Sequence, residues 1–137
     1  MRVVLDANVF VSAAIRGGSS HRVVRSWMAG GAFELIICPE LLAEVREVLT
    51  ERPRLRRWID LDAAEAFVDA IGITADVVAD PATTAPITRD ADDDYLVALA
   101  REHEADYIVT GDRDLLEWDE QRPPVLSPAQ FEALLAQ

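Results

Sequence analysis

The chain has 137 residues, 50% hydrophobic and 28% charged, which suits a single domain over residues 1–137 with a buried core. Its formal net charge of -12 argues against a nucleic-acid partner unless the acid is gathered around bound cations, and every one of its 13 basic residues is an arginine. The single cysteine excludes an internal disulfide and a thiolate metal cage, while runs such as "FELIIC" and "YLVALA" are far too short to span a membrane. The start, "MRVVLDANVF", lacks the features of a signal peptide, so a cytoplasmic protein with no membrane association is expected.

In chain order, "RVVL" is a short apolar strand ending at Asp6, and "HRVVRSWMAG" is an amphipathic helix closed by Gly30 and Gly31. "FELIIC" is a second strand, with Cys38 as a buried residue at its end rather than a nucleophile. Pro39 suits a first helical turn, and "ELLAEVREVL" then places Leu41, Val45, Val48 and Leu49 on one face. "LDAAEAFVDAIG" predicts a helix with Gly72 at its end, "ADVVAD" a short strand, and Pro81 with Pro86 a loop. Asp90 to Asp94 open a helix through about His103, "ADYIVTG" is a third strand, and "SPAQFEALLA" is a last helix with Ser127 as N-cap and Pro128 in its first turn. Strands alternating with helices of roughly ten or more residues define βαβ units, hence an α/β fold of three layers, α/β/α, around a parallel sheet.

In open parallel sheets, ligands bind beyond the carboxyl ends of the strands. Asp6 and Asp112 lie at such ends, Asp114 follows two residues on, and the acids of "DADDDYLVALA" begin the helix that leads into the third strand. Capping and the helix dipole account for one or two of those aspartates but not for all four. Asp93 and Asp94 both have apolar neighbours three and four residues on, so periodicity leaves open which of them faces inward. Glu44 reads on pattern as the solvated side of its helix, like Glu40 and Glu47. Carboxylates gathered in one crevice must take up protons or bind cations, and hard oxygen donors suit Mg2+ or Mn2+. His21 and His103 lie outside the acidic segments, which speaks against zinc. "ERPRLRRW" is either a phosphate grip of Arg52, Arg54, Arg56 and Arg57 with Trp58 as a stacking ring, or a solvated helix start with Trp58 anchored in the core.

"VVLDANVFVSA", "PELLAEVREVL", "DDDYLVALA" and "ADYIVTGDRDLL", in that order, resemble the PIN-domain ribonucleases, and in particular the VapC-like branch of toxins from toxin-antitoxin pairs. The resemblance covers nearly the whole chain. It implies a PIN-like parallel sheet flanked by helices and an acidic pocket that binds Mg2+ or Mn2+ and cleaves RNA to 5'-phosphate and 3'-hydroxyl ends. Carried over by position, its catalytic and metal-binding acids fall on Asp6, Glu44, Asp94 and Asp112. Asn8 matches the polar residue that orients the first aspartate, while Asp114, Ser12 and Thr110 match less constant pocket positions. Arg54, Arg56 and Arg57 are candidate RNA contacts. The resemblance also implies a cognate antitoxin that binds the pocket, and a homodimer. Two other readings remain. One is a PIN-fold binding module that has lost cleavage. The other is a Mg2+-dependent enzyme similar to haloacid-dehalogenase-type phosphatases or receiver domains, which rely on a pocket lysine that this chain does not possess.

Overall fold

The computed structural model describes residues 1–82 and 91–137. Val3, Val4 and Leu5 are fully buried, so β1 (Arg2–Leu5) is apolar on both faces, as a central strand of a parallel sheet must be. It pairs in parallel with β2 (Glu34–Ile36) on one side and β3 (Tyr107–Val109) on the other. β4 (Val125–Leu126) then adds to β3, giving the order β2-β1-β3-β4. The chain leaves β1 for one neighbour and returns later to the other, so the strand order reverses there. A crevice opens at the carboxyl ends of β1 and β3.

Helices cover the sheet in the expected three-layer α/β/α arrangement. α1 (Ala7–Ile15) follows β1 directly and packs on α2 (Ser19–Gly30), and α3 (Pro39–Glu51) joins α1 to α4 (Leu61–Thr74). α5 (Ala91–Glu102) lies on β1 and β3, the short α6 (Arg113–Leu116) on β4, and α7 (Pro128–Leu135) on β4 and α2. Phe131 of α7 is fully buried edge-on against Phe33, with ring centroids 5.1 Å apart, and this aromatic pair ties the last helix to the segment before β2. Cys38 is buried at the start of α3, where its thiol meets the Tyr95 hydroxyl, as its strand-end reading anticipates. Among the described residues, no helix is long and apolar enough to cross a membrane.

Several local expectations hold. Gly31 takes the left-handed conformation that ends α2, at φ 58°. Ser127 and Gln130 form a reciprocal capping box ahead of α7, with Pro128 in its first turn. Others are corrected. Gly72 does not end α4, which continues to Thr74; a Cβ there would meet Leu42 at 3.3 Å, so the glycine permits close packing of α4 on α3. "ADVVAD" forms only an isolated bridge between Ile37 and Val77, because Asp80 is drawn to the α3 amino terminus, where it accepts from the Glu40 N–H at 2.9 Å. α1 and β4 were not expected at all. Pro86, Asp90 and the side chain of Asp92 lie outside the described residues, and the loop and capping expected there with them.

Candidate active site

A cleft of about 580 Å³ opens at the carboxyl edge of the sheet and is lined by Asp6, Glu44, Asp93 and Asp112, together with Asn8, Ser12, Arg16 and Arg52. Asp6 stands between β1 and α1, at the N-cap position, yet its side chain makes no cap hydrogen bond. One carboxylate oxygen instead accepts from the Thr110 hydroxyl at 2.7 Å and from the Asn8 side-chain amide at 3.2 Å. Simple capping therefore does not account for Asp6. Thr110 is fully buried at the end of β3, and its hydroxyl also accepts from the Asp112 N–H at 3.0 Å. A single hydroxyl thus links the two acid-bearing loops.

Burial pushes the Asp6 carboxyl above the ordinary range. The Thr110 hydroxyl and the neighbouring backbone of Asn8 and Ala7 pull it down, while the negative charge of Asp112 adds to the rise. Asp6 stands in a poorly solvated corner beside a second negative charge, and holding it anionic there favours a cation.

The helices bring in the remaining lining groups by periodicity. On α1 and its cap, Asn8, Ser12 and Arg16 recur every four residues and form one stripe. On α3 and its cap, Glu44, Val48 and Arg52 do the same, while Leu41, Val45 and Leu49 on the adjoining stripe are buried. Glu44 is thus solvent-exposed, as its pattern indicates, and also on the cleft wall, as the resemblance implies.

On α5 the residues lining the cleft are Asp93 and Leu96, one turn apart. Asp94, to which the resemblance assigns the third acid, is 5% exposed and does not line the cleft. The helix turns by about 100° per residue, so moving one position along it exchanges the cleft face for the packed face. Asp93, 3% exposed, occupies the place expected of Asp94.

Asp114 is exposed and off the cleft wall; its N–H donates to Asp112 at 2.9 Å, which caps α6. The arginine segment forms a 3-10 turn over Pro53–Arg57. Arg56 turns inward to donate to the Leu49 carbonyl at the end of α3. Arg54 and Arg57 are exposed, with the Arg57 guanidinium 5.2 Å from the centre of the Trp58 ring. Trp58 is 52% exposed, so it is not a core anchor.

Asp6 and Asp112 offer hard, partly desolvated oxygens of the kind that Mg2+ or Mn2+ prefers. Among the described residues, no three carboxylate, histidine or cysteine side chains stand close enough to hold one ion between them. The carboxylate oxygens are of the chemical kind that a hard divalent cation takes.

Sheet order and acidic cleft together define a class of α/β proteins with a carboxylate-lined site at the switch point of a parallel sheet. The chain belongs to the PIN-domain family, whose model matches residues 2–114. It is 27% identical over 116 residues to an uncharacterized protein of Methanocaldococcus jannaschii, covering 85% of this chain and 74% of the relative. Its fold is similar to a chain of VapBC2 from Rickettsia felis, solved bound to a DNA fragment from their promoter, with a TM-score of 0.60 and 13% identity over 92% of this chain and 97% of that one.

Proposed function

We propose that the protein is a divalent-metal-dependent endoribonuclease that hydrolyses RNA phosphodiester bonds in the acidic cleft. The observation that carries this reading is the linkage of Asp6 and Asp112 through the Thr110 hydroxyl, with Glu44 and Asp93 on the same cleft walls. Asp6 and Asp112 would hold Mg2+ or Mn2+, which when bound acidifies water and neutralises charge on the phosphate and the departing 3' oxygen. Thr110 and Asn8 donate to one oxygen of Asp6 and so hold its carboxylate at the cleft wall. Asp93 and Glu44, which line the cleft, would orient the attacking water and accept its proton, and Ser12 would donate to a phosphate oxygen. Asp94 and Asp114 act from behind, by packing and by the turn into α6. Membership of the PIN family supports the nuclease class. The likeness in fold to VapBC2 is in keeping with a toxin of a toxin-antitoxin pair that has a cognate antitoxin; a homodimer at work in the cytoplasm belongs to the same reading.

The test is single-turnover cleavage of a generic single-stranded RNA with Mg2+, with Mn2+ and in EDTA. Asp6→Asn and Asp93→Asn should each lower the rate by at least about a hundredfold, as the loss of several kcal/mol of charge stabilisation requires. Asp94→Asn should lower it less than Asp93→Asn. Full cleavage by both Asp6→Asn and Asp93→Asn would overturn the reading. Tight RNA binding by the wild type without cleavage in either metal would favour the non-catalytic binding module.

A further inference from the structure

The sequence does not single out Arg16 and names Arg52 only within the "ERPRLRRW" phosphate grip, and the nuclease chemistry proposed above uses neither. Each closes a stripe of three residues spaced four apart that begins at a polar residue in the acidic centre: Asn8–Ser12–Arg16 from α1, and Glu44–Val48–Arg52 from α3. Both are exposed, and both line the cleft.

Among the described residues, no hydrogen bond or ion pair uses either guanidinium. Arg2, Arg22, Arg46 and Arg113 are ion-paired with carboxylates, and Arg56 and Arg101 donate to backbone carbonyls. Among the described residues, the Arg16 and Arg52 side chains enter no hydrogen bond or ion pair, although the cleft they share carries four carboxylates. Nor do they serve as counter-ions for the buried acid, because hydrogen-bond donors alone, and no arginine, offset the effect of burial on Asp6. Two cations held on the wall of an acidic cleft, without engaging its acids, are available to an anion that enters.

Such an anion needs them. A polyanion approaching a chain of net charge -12 is repelled, and a cation at the acidic centre offsets that repulsion only locally. Phosphates neighbouring the reacting one require their own positive partners, and the planar guanidinium fork suits them. Resting on the nuclease reading, we infer that Arg16 and Arg52 bind backbone phosphates adjoining the scissile one and hold a single-stranded RNA across the acidic centre. Arg54 and Trp58, in the turn after Arg52, are exposed.

The competing explanation is local, since a cation at a helix carboxyl end stabilises the helix dipole by about 0.3–1 kcal/mol. Equilibrium binding separates the two. The probe is a fluorescein-labelled, unstructured single-stranded RNA titrated in EDTA, where hydrolysis does not run, at salt concentrations between about 50 and 200 mM. Each of Arg16→Gln and Arg52→Gln should reduce the slope of log affinity against log salt by about 0.7 and weaken binding about fivefold near 0.1 M salt. The double variant should lose both increments. Arg→Lys at each site should restore the slope, and Arg25→Gln, which removes an exposed charge on α2 outside this cleft, should leave it unchanged. Unaltered slopes in Arg16→Gln and Arg52→Gln, with lowered melting temperatures, would overturn the inference in favour of the helix-end role. So would failure of the wild type to bind RNA. Normal binding with the predicted slope changes, but no cleavage when metal is supplied, would sink the nuclease reading and leave the phosphate contacts standing.

Discussion

At the scale of the residue, burial raises the carboxyl of Asp6 above the ordinary range, and the sign of that shift determines how stability follows pH. Between the unfolded value of about 3.9 and the raised folded value, the native chain keeps a proton that the unfolded chain has released. The stability that Asp6 contributes is therefore fully present below the unfolded value and is lost as pH rises through the folded one. Asn at position 6 can still accept from the Thr110 hydroxyl but carries no charge. Metal-free Asp6→Asn should melt above the wild type at pH 7, and the gap should close as the pH falls into the carboxylate range. A gap that does not change with pH would show that the charge of Asp6 is not what strains the cleft. The neighbouring choice between Asp93 and Asp94 could not be read from the sequence, since both have apolar residues one turn on. Only the rotation of α5 on β1 and β3 decides which of them meets the cleft.

Among the elements, α7 is the one whose ends were most legible, because its start is written in local chemistry: Ser127, Pro128 and Gln130 form the cap without help from distant residues. Ser127→Ala removes one acceptor and should cost about 1 kcal/mol, read as a lower urea midpoint with an unchanged slope. Since Pro128 lines the cleft, the same variant should also widen the spread of RNA affinities measured near that midpoint. α1 was illegible for the opposite reason. "ANVFVSAAI" buries Ala7, Val9, Phe10 and Ala13 and half-buries Val11, Ala14 and Ile15, so only Asn8 and Ser12 mark its polar side, too little to show its period. β4 is two residues long behind two prolines and has no period to detect. Glu44 looked solvated because it is; its place in the cleft comes from the packing of α3 on α1, which no spacing within α3 reveals.

For the molecule as a whole, a cation that binds the folded cleft and not the unfolded chain stabilises by RT ln(1 + [L]/Kd), about 2.7 kcal/mol at a hundred times Kd. At this chain length that corresponds to a rise of roughly 5 °C in Tm, smaller in Asp6→Asn, when Mg2+ or Mn2+ replaces EDTA at constant ionic strength. No shift in the wild type would remove the physical basis of the metal site. The sheet order has a further consequence, in time rather than space. β1 is the first strand to be synthesised, yet its partner β3 lies across a sequence separation such that Val3 pairs with Tyr107. The hydroxyl that receives Asp6 is likewise 104 residues downstream. At about 5–20 residues per second, Asp6 leaves the peptidyl-transferase centre roughly 5–20 s before Thr110 and Asp112 exist to complete its corner. Over that interval the growing chain carries the first acid of its cleft without the Thr110 hydroxyl that receives it or the Asp112 carboxylate beside it, so the corner closes only when β3 is made.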